Sequence, residues 1–491
     1  KLLVLIMFYC CAGCVLLIGI IISIIHNSPP YLETECVLFS INCPELHSQT
    51  ISKPPKQSKL NFDLIGKSLT HWVETGEEIA SQVSIRIKGQ EVYSVYASDA
   101  VKTNGHFDEK SLCSIFSNTK TFTALFMAIA VDNGWIDSYD DRVTKYWPRF
   151  PTNNGKHNIR ISDVLRHEAG LCVYSRYRVV YDLWNINIAT YNIIKNAIED
   201  ESIRYFSDHQ RCYHTISRGH ILNEIFHLVE PKRRYMAEYY EQEILPNMIQ
   251  SDAAFGLTFR GLRYVGSFGR PRLYNLNRSF DIESPSFWWE LYHVKFPQYI
   301  VKQPVLEDSA IHRKICRYLE NPSACPKQSL SVNMTIFGMA LNNVWEMYEA
   351  NDYRPKQMSQ YNRDMVIEHM SSMGLANAHS MTKLYEFMLK QLISKQTQEL
   401  VFSDGDTKFD VALDTNTTFT LGGFGQHFWA GVEWYGWSGW GGSTMLYAPK
   451  YDAFVAYTVT GFNRKNYGAL MDPRKFVIVN LIARQLEKLG N

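Results

Sequence analysis

Ser117-Asn118-Thr119-Lys120-Thr121-Phe122-Thr123-Ala124-Leu125-Phe126-Met127-Ala128 is the stretch that decides how this chain is read. Residues three apart on a helix are neighbours, so a serine at a helix start with a lysine one turn later sets a hydroxyl beside an amine. Serine is a poor nucleophile near neutral pH unless a base takes its proton, and a lysine made neutral by burial can be that base. The spacing alone is weak evidence, because Ser380-Met381-Thr382-Lys383 repeats it. Context separates the two. After Lys120 the residues Phe122, Leu125, Phe126, Met127, Ile129 and Val131 leave almost no polar face, so this helix is expected to be buried nearly all round and to end near Gly134.

The rest of the composition narrows the class. Across 491 residues, 50 Lys and Arg face 49 Asp and Glu, and a formal charge of +1 gives no electrostatic case for a nucleic-acid partner. The 29 Tyr, 26 Phe and 11 Trp suit a packed enzyme. His167-Glu168 lacks a second histidine at helical spacing and no Cys or His cluster has zinc-site spacing, so neither metal nor cofactor is implied.

Leu2 to Ile25 is one uncharged, mostly apolar stretch, long enough to cross a bilayer as a helix. A cleaved signal peptide would have an apolar core of about 7 to 15 residues and a small-residue cleavage site. Neither is evident, so residues 1–26 are expected to be a transmembrane signal-anchor, followed by a Pro-containing linker over 27–58 and a folded body over 59–490. Lys1 precedes the span and Glu33, Glu35 and Glu45 follow it, which by the positive-inside rule places the body on the luminal or extracellular side. Asn277, Asn333 and Asn416 open glycosylation sequons that agree with that side. Of ten cysteines, Cys10, Cys11 and Cys14 lie at the membrane and are candidates for acylation. Local spacing suggests pairing of Cys36 with Cys43 and of Cys316 with Cys325; Cys172 with Cys212 is hypothesised across the site, leaving Cys113 as a buried thiol.

Within the body, Asp63 to Ala80 has helical spacing. Val83, Ile85 and Ile87 then alternate with polar residues, and a turn at Gly89-Gln90 leads to Val92 through Tyr96, which reads as a hairpin. At the other end Thr444 to Tyr447 and Ala453 to Thr460 form a second strand pair, followed by a helix from Pro473. The expected fold is α+β: one antiparallel sheet built from both termini (about 59–115 and 400–490), flanked by helices, with a mainly helical lobe (about 116–399) inserted. Residues 255–360 have little regular pattern and are expected to shape the cleft or form a lid, or to be a plain surface insertion.

Ser114 to Pro148, through Gly134-Trp135-Ile136-Asp137 and Tyr146-Trp147-Pro148, and on to Asp163-Val164-Leu165-Arg166-His167-Glu168-Ala169-Gly170-Leu171, resembles the serine β-lactamase and penicillin-binding-protein superfamily. The likeness is to its class C, esterase-like branch, in a membrane-anchored form of eukaryotic type, and it implies the fold just described with Ser117 as nucleophile and Lys120 as its partner. The family's second element, Tyr-x-Asn, is absent from this chain. Tyr213-His214-Thr215, in Cys212 through Leu222, stands at its position, so Tyr213 keeps the phenol while Thr215 replaces the amide. The third element, Lys-Thr-Gly or His-x-Gly, corresponds to Trp437-Ser438-Gly439, with Trp440 following, and the resemblance implies an oxyanion hole from the N–H groups of Ser117 and Trp440. His167 matches a structural turn histidine.

The loss of the cation at Trp437 argues against substrates that carry the carboxylate of a β-lactam or peptidoglycan stem. With Trp434, Trp437 and Trp440 near one edge, a neutral, partly apolar ester, amide or peptide is expected instead. Two functions remain open on these residues. One is a membrane-anchored serine hydrolase acting through an acyl-enzyme on a small-molecule or peptide substrate; the other is a catalytically silent relative that uses the cleft for binding or scaffolding.

Overall fold

The computed structural model describes residues 48–53, 60–74, 78–99, 107–150, 155–172, 188–203, 209–259, 370–372, 374–413, 415–439, 442–460 and 473–490. A nine-stranded antiparallel sheet runs through it. Its strands are β1 (Ser48–Lys53), β2 (Ala80–Ile87), β3 (Gln90–Asp99), β7 (Asp406–Asp410), β8 (Thr415–Phe419), β9 (Gly425–Trp429), β10 (Val432–Ser438), β11 (Thr444–Ala448) and β12 (Ala453–Val459), in the order β1-β3-β2-β12-β11-β10-β9-β8-β7. A second, three-stranded sheet is made of β4 (Cys113–Ser114), β5 (Leu257–Thr258) and β6 (Leu375–Ala376). The longer helices are α1 (Asp63–Glu74), α2 (Thr119–Asp132), α3 (Ile188–Asp200), α4 (Ser217–Val229), α5 (Ala378–Gln391), α6 (Lys395–Phe402) and α7 (Pro473–Gly490).

The sheet joins the two ends of the chain because β2 pairs with β12 over seven residues, Ala453 opposite Ile87 through Val459 opposite Ser81. Side chains alternate across a strand, so each strand feeds two cores. Val83, Ile85, Trp434, Leu446, Val455 and Tyr457 face α1 and α7, burying Ile65, Leu69, Ile478, Ile482 and Leu486. Tyr435, Met445, Tyr447, Phe454 and Ala456 face the other way, onto the core of α2, α4 and α5.

Helix α2 is buried from Thr119 to Ala130. Phe126 makes edge-to-face contacts with Phe226, Phe259 and Tyr239, a geometry that suits the ring quadrupoles. It ends as expected: Gly134 takes φ +68°, its N–H reaches the Val131 carbonyl at 3.0 Å and that of Trp135 reaches Ala130 at 2.9 Å.

Three expectations are corrected. Residues 48–53 fall within the predicted linker but pair with β3, Ser48 opposite Asp99 through Lys53 opposite Ser94; the Gln-Thr-Ile segment offers a free sheet edge a strand. The first helix stops at Glu74 and not Ala80, which already opens β2. Phe255 to Phe259, the start of the irregular stretch, contributes β5 to the small sheet. The rest of that stretch, the 1–26 span, Cys36, Cys43, Cys316, Cys325, Asn277, Asn333 and Trp440 lie outside the described residues. Among the described residues no helix is long and apolar enough to cross a membrane.

Candidate active site

Phe116 has φ +44°, a left-handed conformation costly for an aromatic residue, and it turns the chain from β4 into the 3-10 turn Phe116–Asn118 that opens α2. Ser117 sits in that turn, about 9% exposed. The first amides of a helix have no intrahelical acceptor, so the Ser117 N–H is placed to meet a developing negative charge. Asn118 locks the turn by donating to the Ile115 carbonyl at 2.8 Å and to Ser443 Oγ at 3.0 Å.

Lys120 is buried one helical turn on, with Nζ 3.3 Å from Ser117 Oγ. The amine also donates to the carbonyls of Thr215, at 2.7 Å, and Ser371, at 3.0 Å. Burial, with the nearby Arg218 charge second, holds its pKa well below the ordinary lysine value. In its neutral form the amine has two N–H groups and one lone pair, so with both carbonyls as acceptors the lone pair would be left to face Ser117 Oγ.

Tyr213 lies against the pair, its ring 4.8 Å from Lys120 Nζ. Burial raises the phenol to about 12, against the opposing effect of hydrogen bonds with Ser117 and Trp437. It is therefore protonated at neutral pH. Trp437 stacks on it at 5.7 Å and its indole N–H donates to the phenol oxygen at 3.0 Å. With that lone pair engaged, the phenol is oriented to donate its own proton toward Ser117. The indole thus supplies a neutral donor to the phenol and no charge.

The Tyr213 loop is fixed from several sides. Cys212 is disulfide-bonded to Cys172, as hypothesised from the sequence. The Tyr213 N–H donates to Asp410 Oδ1 at 3.0 Å, and burial lifts that carboxyl to about 6 despite three backbone donors. His167, at φ +66°, accepts the His214 N–H on Nδ1 at 2.9 Å, while among the described residues its buried Nε2 has no hydrogen-bond partner. His214 accepts from Leu171 N on Nε2 and donates from Nδ1 to the Cys212 carbonyl. With both nitrogens engaged and burial pushing its pKa down to about 3, it is a neutral brace and no base.

The remaining expected residues divide. The Thr215 carbonyl holds Lys120, and among the described residues its buried hydroxyl has no hydrogen-bond partner. Gly439 lies where a Cβ would collide with the Ile115 carbonyl and Ser443 Oγ, so its lack of a side chain lets β10 approach the nucleophile turn. The Ser438 side chain points to the opposite face, against Thr444 Oγ1 and Lys475 Nζ. Trp434 is on that face too, buried against the terminal helices, which corrects the expectation that it joins Trp437 at the cleft; an odd separation along a strand puts the two on opposite sides. Ser380 of the second Ser-x-x-Lys accepts from Gly256 N, and Lys383 binds Asp252, so that motif serves structure.

Sequence reading missed Ser371, Asp410 and Arg218. Ser371 holds Lys120 by its carbonyl, while its hydroxyl accepts from Gly219 N at 2.7 Å and donates to the Ile216 carbonyl at 2.8 Å. A Cβ on Gly219 would strike the 370–371 backbone. That glycine was the available signal.

Residues 70–271 match the Beta-lactamase family model. The chain is 36% identical over 90 residues to esterase/beta-lactamase LipL of Mycobacterium tuberculosis, a match covering 18% of this chain and 20% of that protein. Among solved structures, a penicillin-binding protein homolog from Caulobacter crescentus superposes with TM-score 0.61 at 18% identity, covering 89% of this chain and all of the other. A family VIII carboxylesterase and EstA from Arthrobacter nitroguajacolicus each give 0.60 at 16% identity with the same coverage. The family model thus matches part of the chain, and the chain shares the fold of these penicillin-binding-protein and carboxylesterase structures.

Proposed function

We propose that this protein is a serine hydrolase that forms an acyl-enzyme on Ser117, takes a neutral, partly apolar ester, amide or peptide, and is not a true β-lactamase. The observation that carries the reading is the buried Lys120 amine, held by the Thr215 and Ser371 carbonyls with Nζ 3.3 Å from Ser117 Oγ. Ser117 Oγ attacks the substrate carbonyl carbon as its proton passes to Lys120. The tetrahedral oxyanion meets the Ser117 N–H. As the bond from carbon to the leaving group breaks, Tyr213 donates its proton to the departing oxygen or nitrogen and is reprotonated from Lys120. Water then attacks the acyl-enzyme by the reverse relay and frees the acid and Ser117.

The substrate class follows from Trp437, whose indole supplies a donor to Tyr213 but no cation for a substrate carboxylate. A fluorophosphonate probe is expected to label the folded protein at Ser117, and both Ser117→Ala and Lys120→Ala to abolish labelling. No labelling of a well-folded sample would leave the binding or scaffolding reading in its place. On the apolar stretch Leu2 to Ile25 and the Cys172–Cys212 disulfide rests the accompanying proposal that the body is held to a membrane on its luminal or extracellular side. Protease protection of the body in intact microsomes, lost on detergent addition, tests it; digestion without detergent would refute it.

A further inference from the structure

Arg218 lies on α4 five residues beyond Tyr213 and is about 1% exposed. Its guanidinium donates to three backbone carbonyls: Leu165 at 3.1 Å, Lys120 at 3.0 Å and Gly423 at 3.0 Å. Among the described residues no carboxylate pairs with it, whereas the neighbouring buried Arg211 is bonded to Glu168. Room for the group is made at Gly423, φ +79°, where a Cβ would press on the Arg218 fork and on Leu165.

A buried charge without a counter-charge costs several kcal/mol relative to an apolar side chain, so three carbonyl straps are a poor reason to keep one there. The charge lies against the first turn of α2, where Ser117 and Lys120 stand. Resting on the serine-hydrolase reading of that site, we propose that Arg218 is a positioning residue for catalysis: its sealed positive charge disfavours a second one on the Lys120 amine and so keeps that amine ready to accept the Ser117 proton. The other titratable groups around the pair are Tyr213 and His214 on the loop, His167 on the facing turn, Asp410 beneath Tyr213, and Arg211 with Glu168. Burial, with the same charge as a smaller contribution, pushes both histidines away from protonation, and burial brings Arg218 itself only to about 10, so it remains a cation at neutral pH.

Two roles of the guanidinium, charge and strap, separate by substitution. Arg218→Lys keeps the charge and loses the fork; Arg218→Gln keeps donors and loses the charge; Arg218→Met removes both and serves if the Gln variant fails to fold. The readout is the pH titration of the Lys120 Cε resonance in 13C-lysine-labelled protein, assigned by Lys120→Met. In the native protein the midpoint is expected well below about 10.4, the ordinary lysine value. Arg218→Lys should leave it close to native, and Arg218→Gln or Arg218→Met should raise it by about one pH unit or more, a tenfold loss of free amine near neutrality. An ordinary midpoint in the native protein, or equal midpoints in the native and charge-free variants, overturns the proposal without any activity being measured. Fluorophosphonate labelling run alongside tests the hydrolase reading separately: a native protein that titrates as expected but does not label loses its assigned chemistry and keeps the charge effect.

Discussion

The proposed chemistry sets expectations for the individual side chains. Replacing Ser117 or Lys120 by alanine is expected to lower turnover of an activated ester such as p-nitrophenyl butyrate by roughly 10³-fold or more, since groups that act as a unit fail together. Tyr213→Phe should cost about 10²- to 10⁴-fold in kcat, the range for a lost general acid, with little change in substrate binding. Trp437→Phe keeps the stacking and deletes the donor, so a smaller loss, about tenfold, is expected; an unchanged kcat would show that the indole N–H does not orient the phenol. Esterase assays across these four variants check all three statements. Ser117 and Lys120 were legible in the sequence because their partnership is local, three residues apart on one helix. The orientation of Tyr213 was not, because the group that fixes it, Trp437, lies 224 residues further along the chain.

Elements decide how firmly those side chains are held. The Cys172–Cys212 bridge closes a separation of 40 residues and ties the turn after His167 to the residue before Tyr213. Changing both cysteines to serine is expected to lower stability by roughly 2–4 kcal/mol in denaturant melts. It should also lower kcat under conditions where the protein stays folded, as the tyrosine loop gains freedom. Gly439→Ala tests the approach of β10 to the nucleophile turn: the added methyl collides with the Ile115 carbonyl and Ser443 Oγ, so labelling at Ser117 should fall sharply even at temperatures where circular dichroism reports a native fold. The hairpin of β2 and β3, the terminal strand pair and the buried α2 were all readable from periodicity. Strand β1 was not, because its pairing comes from an open sheet edge that a local reading cannot see.

At the scale of the whole molecule, His379 on α5 sits between Glu91 on β3, at 2.6 Å, and Asp252 beyond the helix Leu245–Ser251, at 2.5 Å. Burial alone would push the imidazole down, but hydrogen bonds to both carboxylates outweigh it and raise it to about 9. Both carboxylates are in turn held below their ordinary values against their own desolvation. The histidine's contribution is full below its unfolded value of about 6.5 and lost as pH rises through about 9. The carboxylates' contribution is present above about 4 and lost as pH falls. Thermal melts should therefore show greatest stability between these limits, and His379→Gln should flatten the alkaline decline; an unchanged alkaline limb would rule out this cluster as its source.

By itself the sequence determined the fold class and the adjacency of Ser117 and Lys120, since both rest on short-range order: the two-residue period of strands, the 3.6-residue period of helices, and a serine and lysine one turn apart. What surrounds that pair was decided only by the tertiary structure. The carbonyls of Thr215 and Ser371 and the guanidinium of Arg218 reach Lys120, and the indole of Trp437 reaches Tyr213, from segments about a hundred to about two hundred and fifty residues away. Burial at their meeting point is what lowers the pKa of Lys120, as the proposed chemistry needs, and burial belongs to the packed whole rather than to any stretch of chain.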